Sequence, residues 1–292
     1  MKNGCCSTPE GIEKCPVRMF TGTSWQAAVA DVVREVHLEV YLNGRKMITI
    51  ACTGLYTEEL AVGWLRSEGI IRTAGEIESV AVGREGISIH VNTRPGLPGL
   101  FDNGGSVISS SGARSAVSGI KRSGSESPLP GTQSTGAGLG AGEGRNVAAM
   151  KPLAMGTETI PPARIFTLME EMIAAAAIHN LSRGTHGAAL ADSSHIFVTR
   201  EDIGRHNCLD MLSGYAFLHE IDGADKVLLR TGRVSSEIVH KVWRMGIPVV
   251  LSLSVPTALA ISLAGQAGIT LVGAIRAPSL TVYTHGKRIR KL

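Results

Sequence analysis

After Val36 the run HLEVYLNGRKMITIAC alternates apolar and polar positions through two β-rich stretches around Asn43-Gly44. That dipeptide accepts positive φ, so the pattern predicts a tight hairpin. Beyond Thr53, YTEELAVGWLRSEG puts Leu60, Trp64 and Leu65 on one helical face, with Thr57 able to cap the start and Gly69 to stop the end. Glu76 to Val91 alternates again. These elements predict a small α+β N-terminal domain over residues 31–102.

From Pro161 the pattern changes to α/β. Ile165, Leu168, Met169 and Met172 mark one face of a helix, and apolar runs follow at 187–191, 195–199, 226–230, 247–253, 270–275 and 280–284. Helical patterns lie between them, one from Ser235 to Gly246 and one from Ser254-Val-Pro256 to Gly268. Strands alternating with helices predict a largely parallel, doubly covered sheet over residues 161–292.

The remaining segments lack periodicity. Residues 1–30 carry Cys5, Cys6 and Cys15 near Pro9 and Pro16 and are expected to form a loosely ordered, flexible arm. Residues 103–160 are rich in Gly and Ser, too poor in large apolar side chains to offset their conformational entropy, and are expected to be a loop or linker.

Composition narrows the partners. A chain of 292 residues with 43% hydrophobic content and a net charge of +4 is globular and favours anions. It lacks the Lys/Arg runs of a nucleic-acid binder, and a small phosphorylated ligand fits the charge as well. No stretch is long and apolar enough to span a bilayer or direct secretion, which predicts a cytoplasmic protein without membrane contact. The five cysteines, Cys5, Cys6, Cys15, Cys52 and Cys208, are odd in number and lack CxxC spacing. Free thiols are expected, with neither a disulfide framework nor a structural metal.

Candidate chemistry gathers at strand ends. HIFVTR ends in Arg200, KVLLR in Arg230 with TGR adding Arg233, and TLVGAIR in Arg276. In a parallel sheet these ends share one edge, where open α/β folds bind ligands and guanidiniums suit phosphate or pyrophosphate. The alternative for each arginine is an ion pair or a solvated side chain. Within TREDIGRHN, Arg205, His206 and Asn207 add donors beside Gly204, and Asp202 is placed to orient His206 or pair with Arg205. His186 lies between glycine-bearing turns, as a ligand-facing or a structural histidine. Cys208 opens an apolar helix pattern and reads as a buried structural thiol, with Arg205 nearby keeping a reactive thiolate in view.

These runs resemble the FdhD/NarQ family, accessory sulfurtransferases of formate dehydrogenase. The likeness rests on NGRKMITIACTGLYTEELAVGWLRSEGII, RGTHGAAL, REDIGRHNCLD, TGRVSSEIVHKVWRMGIPVV, SVPTALAISLAGQAGITLVGAIR and LTVYTHGKRI. It implies a cytidine-deaminase-like, three-layer C-terminal domain, a smaller N-terminal domain and a homodimer. Its implied chemistry takes sulfur as a persulfide from a cysteine desulfurase. The sulfur passes to the molybdenum or tungsten bis-molybdopterin guanine dinucleotide cofactor before insertion into formate dehydrogenase.

By the same resemblance, the segment Ala274, Ile275, Arg276, Ala277, Pro278 and Ser279 contacts the cofactor, although Ala274 and Ser279 depart from the family pattern. The family's CGxC sulfur motif falls on Ser111-Gly-Ala-Arg114, so Ser111 and Arg114 occupy both cysteine positions. A serine hydroxyl cannot form a persulfide. Met211 stands where the family often has lysine, and His186-Gly-Ala lacks the glutamate and thiols of a zinc deaminase. The resemblance leaves open a persulfide moved to Cys208, Cys52 or the Cys5/Cys6 arm, a non-transferring cofactor-binding paralogue, or a gene in decay.

Overall fold

The structure, a computed structural model, describes residues 9–83, 86–94, 106–108, 114–115, 151–154 and 159–290. Its first element corrects the expected loose arm over residues 9–30, while Cys5 and Cys6 of that arm lie outside the described residues. Strands β1 (Ile12–Phe20) and β2 (Trp25–Val33) pair antiparallel from Ile12↔Val33 to Phe20↔Trp25. Sequence alternation reports a buried face, and this ribbon has none along most of its length. Phe20, Trp25 and Val29 are all more than half exposed.

Asn43 and Gly44, at φ 48° and 79°, turn β3 (Val36–Leu42) back onto β4 (Arg45–Cys52) as the dipeptide predicts. Helix α1 (Thr57–Ser67) follows. Thr57 does not cap it: the chain enters through Tyr56 at φ 50° with no side-chain cap, while Gly69 at φ 76° ends the last turn. β5 (Ile77–Val82) and β6 (Ser88–Thr93) complete one side of the sheet. Two short strands from the expected linker, β7 (Ser106–Ile108) and β8 (Arg114–Ser115), extend the other, giving the order β5-β6-β3-β4-β7-β8. Leu38, Val40, Ile48 and Ile50 bury their side chains against Leu60, Trp64 and Leu65 of α1.

In the C-terminal half α2 (Pro162–Ala174) and α3 (Ala177–Ser182) precede β9 (His186–Ala191) and β10 (Ile196–Asp202). Then come α4 (Arg205–Leu218), β11 (Val227–Arg230), α5 (Ser236–Arg244) and β12 (Val249–Ser252). The last elements are α6 (Ala258–Ala267), β13 (Thr270–Arg276) and β14 (Ser279–Thr284). Strand order is β10-β9-β11-β12-β13-β14. Only β11-β12-β13 are parallel, which corrects the largely parallel expectation, since β10-β9, β9-β11 and β13-β14 pair antiparallel. The β9-β10 and β13-β14 connections are far too short for a crossover, so those strands must run back on themselves.

One face of this sheet carries α4, α5 and α6, with Leu190, Leu228, Val250 and Leu271 against Leu212, Ile238 and Leu263. The other carries α2, with Ala189, Leu229, Leu251 and Val272 against Ile165, Leu168 and Met172. Residues 151–154, also inside the expected linker, join this domain through Leu153 N–H to Ala267 O, 2.8 Å, and Trp243 Nε1 to Lys151 O, 2.9 Å. Helix α6 starts later than predicted: Thr257, not Ser254, caps it by accepting from the Ala260 N–H at 3.2 Å.

The two sheets meet across α1 and α4. A Cβ on Gly63 would lie 1.7 Å from the Asp210 carbonyl oxygen, and one on Gly214 would lie 1.9 Å from that of Glu59. The helix backbones therefore touch at a pair of glycines. Sandwiched between α1 and the sheet, α4 buries eleven of its fourteen residues, so it shows no polar face.

Candidate functional site

The corrected topology still collects the predicted residues on one edge. Because β9 runs against β10 and β11, its first residue lies beside their ends: His186 pairs with Asp202, and Ala188 with both Arg200 and Arg230. Arg230 pairs in turn with Ser252 at the end of β12.

Arg230 is the most unusual group there, only 1% exposed. Its Nε donates to the Gly232 carbonyl at 3.0 Å, and its Nη1 is buried with no hydrogen-bond partner. Burial pushes its guanidinium down to about 10, which leaves it charged at neutral pH. The turn beyond it is fixed by the Thr231 N–H donating to Gly187 O at 3.0 Å and by Ser252 Oγ donating to Gly232 O at 3.0 Å. A Cβ built on Gly232 would meet Arg230 Nη2 at 3.2 Å, Arg205 Cβ at 3.5 Å and His186 Nδ1 at 3.6 Å. Three side chains from three elements thus converge on one missing side chain.

Burial, reinforced by Arg230 and Arg205, lowers the His186 pKa. Burial likewise lowers that of His206, against the opposing pull of Glu237, whose Oε2 lies 3.2 Å from its Nε2. Arg205 opens α4 behind Gly204, and no side chain caps that helix.

Other predicted residues sit elsewhere. Arg200 is drawn out of the cluster: its Nε and Nη2 donate to Glu59 at 2.6 and 2.7 Å, and its guanidinium lies 3.8 Å from the Tyr56 ring centroid. Asp202 neither orients His206 nor pairs with Arg205. It accepts from Thr53 N–H and Oγ1 at 2.8 and 2.9 Å, from Gly204 N–H at 2.8 Å and from Asn207 Nδ2 at 2.7 Å. Burial raises its pKa against those four donors. Arg233 is exposed. Ala274, at φ 51°, and buried Ile275 lead into the exposed Arg276, Ala277, Pro278 and Ser279 on the same edge, with β12 between them and Arg230.

The thiols are closed. Burial drives Cys52 up to about 12 and Cys208 well above the ordinary thiol range, and Cys208 Sγ lies 3.3 Å from the His186 carbonyl oxygen. Cys15, on β1, is half-buried. Ser111 lies outside the described residues, and for Arg114 the backbone in β8 is what is described. Among the described residues, no group of three His, Cys, Asp or Glu side chains is placed to hold a metal ion.

Sequence reasoning missed Glu59, Thr53 and Glu201. Glu201 accepts from the Ile178 and His179 N–H groups at 3.0 and 2.7 Å and from Thr185 Oγ1 at 3.1 Å, which anchors α3. A carboxylate three positions into α1 was the available sign for Glu59, but nothing near it in sequence names Arg200 as its partner.

The site as built suits an anionic group. The buried guanidinium of Arg230, with Arg205 and the N-terminus of α4 close by, gives this edge a positive character. The sequence profile described as the FdhD/NarQ family matches residues 33–290. Two relatives, each named sulfur carrier protein FdhD and from Staphylococcus aureus strains MRSA252 and JH9, are 34% identical over 258 residues, 88% of this chain and 88% of each relative. A crystal structure assigned to a formate dehydrogenase accessory protein from Desulfotalea psychrophila superposes with a TM-score of 0.73 at 22% identity, covering 96% of this chain and 99% of that one, a likeness of fold. With a profile spanning both sheets and the Arg230 edge, the chain belongs to the FdhD/NarQ family.

Proposed function

We propose that the chain is an accessory factor for formate dehydrogenase that binds the molybdenum or tungsten bis-molybdopterin guanine dinucleotide cofactor at the carboxyl edge of its C-terminal sheet. The observation that carries this reading is the buried, charged Arg230, whose Nη2 converges with Arg205 and His186 around Gly232 on that edge. A buried cation is retained where a ligand completes its hydrogen bonds. When bound, the cofactor supplies the metal centre that the dehydrogenase uses. This chain's part is to hold the dinucleotide, with the exposed Arg276 to Ser279 turn as a second contact along the same edge. The three-layer arrangement supports a cytidine-deaminase-like domain, and a second copy of the chain, a cysteine desulfurase and formate dehydrogenase are the partners this reading carries.

Sulfur carriage is the weaker half of the family role here. The motif positions hold Ser111 and Arg114, and the Cys52 and Cys208 thiols are buried and held protonated. A cofactor-binding member that does not transfer sulfur fits these residues best. The second reading places the persulfide on Cys15, the least buried of the described thiols, or on the Cys5/Cys6 pair.

Complementation of a strain lacking its own FdhD separates the two, with formate dehydrogenase activity as readout. The unaltered chain should leave activity absent and Ser111→Cys/Arg114→Cys should raise it. Full restoration by the unaltered chain would sink the non-transferring reading, and calorimetry showing no heat with GDP would sink the cofactor site.

A further inference from the structure

We infer that the outer edge of β2 docks against β2 of a second copy of this chain, antiparallel and centred on Ala27, so that two ribbons form one four-stranded sheet. This rests on the second copy in the proposed function and adds the surface that meets it.

The ribbon is packed at its base and open towards its turn. At the base the Arg34 N–H donates to Gly11 O at 2.8 Å, and Val33 lies so close to Gly184 that a Cβ there would be 2.8 Å from its Cγ1. Towards the turn, Trp25 and Val29 are 61% and 67% exposed. A two-stranded ribbon is marginal in water by itself, and added strands are what stabilise one.

The two edges of the ribbon differ. The Arg34 to Gly11 bond marks one hydrogen-bonded pair, and the Thr21 N–H to Ser24 O bond of 3.0 Å marks another. The register between them runs without a bulge, so odd-numbered residues of β1 bond inward and even-numbered ones turn their backbone groups outward. Pro16 therefore sits on the outer edge of β1, where it withholds a donor from any added strand. On β2 the outward groups belong to Trp25, Ala27 and Val29, each with its N–H, and among the described residues this sheet holds only β1 and β2. Such an edge accepts a strand.

The segment itself selects a copy of itself. Residues 25–30, WQAAVA, contain no charged side chain, so a self-paired edge sets no like charges in opposition. Centring on Ala27 places Trp25 opposite the partner's Val29 and the reverse, on one face. The two most exposed large apolar side chains of the ribbon thus cover each other, beside alanines that leave the indole room. A register one step on would set Trp25 against Asp31, which already pairs with Lys14. Because Pro16 blunts the other edge, the sheet stops at four strands, and the contact closes as a two-fold dimer.

Sedimentation velocity on the full chain tests the edge. The unaltered protein should be a dimer. Trp25→Ala removes the anchor from both copies, and Ala27→Pro removes the central donor twice, so each should weaken dimerisation at least about tenfold. Met19→Ala trims a half-exposed apolar side chain from β1 and should leave the dimer intact. Disulfide trapping reads the register with the strand unbroken. In Ala27→Cys the thiols would lie on directly opposed residues, Cα atoms about 5.5 Å apart, and oxidation should give a covalent dimer. In Gln26→Cys they would be offset by two positions, about 7–8 Å apart, and should not bridge. The unaltered chain, with its own five cysteines, is the blank.

A dimer that Trp25→Ala and Ala27→Pro leave equally tight would overturn the β2 edge and leave a second copy bound elsewhere, as would equal bridging by both cysteine variants. An unaltered chain that stays monomeric would overturn both and leave the edge to a strand of another protein. Assemblies larger than a dimer would overturn the closed sheet. Should Trp25→Ala or Ala27→Pro fail to fold by circular dichroism, bridging at residue 27 decides alone.

Discussion

Glu59 on α1 holds Arg200 on β10 through two hydrogen bonds of 2.6 and 2.7 Å, with the guanidinium stacked over Tyr56 on one side and Tyr215 within 5.3 Å. The pair joins the N-terminal domain to the C-terminal sheet 141 positions away. An arginine near the end of a strand, beside the Arg230 edge, is thereby used for assembly. Both side chains are mostly buried, so Glu59→Gln or Arg200→Met leaves its partner uncompensated and should cost roughly 3 kcal/mol, the low end for a broken buried pair. Urea denaturation measures this. A change below about 0.5 kcal/mol would show that the pair behaves as a surface contact.

The second joint is the α1-α4 crossing. With carbonyl oxygens 1.7 and 1.9 Å from the sites a Cβ would take, Gly63→Ala and Gly214→Ala must push the helices apart, and both obstacles are backbone. The expected cost exceeds the usual 1–3 kcal/mol or so of overpacking. Reduced soluble yield and a lower denaturation midpoint for each variant check this, and a midpoint equal to that of the unaltered protein would exclude a tight crossing.

Much of this was legible. Asn43-Gly44, Gly69, Gly246 and Gly268 mark turns and helix ends because each takes a positive φ that the local sequence announces. Strand direction was not, because apolar runs such as 187–191 look alike read in either sense, and direction comes from the length of the connections. The β1-β2 ribbon escaped notice because no buried face imposes alternation on it. Arg230 and Arg200 were both seen as strand-end arginines. Their opposite fates depend on what reaches them: the Glu59 carboxylate from another domain in one case, only the Gly232 carbonyl in the other.

Acid should weaken the fold through two histidines. His186 and His206 have pKa values lowered mainly by burial, so both stay neutral in the native state while the unfolded chain protonates them below about pH 6.5. Their contribution is fully present above that pH and is lost as pH falls towards the folded values. The urea midpoint should therefore drop between pH 7.5 and 5.5, and His186→Gln should lessen the drop. Parallel pH profiles for the two proteins would refute the assignment.

Alkaline pH should act through the two closed thiols in the opposite sense. Cys52, pushed up to about 12, and Cys208, pushed higher still, keep their protons in the folded chain. An unfolded thiol ionises near pH 8.5, so above that pH unfolding releases protons and stability falls, by up to about 1.4 kcal/mol per pH unit for each thiol. Cys208→Ala should flatten that slope while leaving a small packing loss, on the order of 1 kcal/mol, that is independent of pH. The same protonation makes both thiols inert at neutral pH, because the thiolate is the attacking species. Maleimide labelling of the native protein followed by peptide mapping should mark neither Cys52 nor Cys208 until denaturant is added. Incubation with a desulfurase and cysteine should add no sulfur, about 32 Da, to either residue. A persulfide mapped to Cys208 would show that this buried position opens, and would return sulfur transfer to a chain whose motif positions hold serine and arginine.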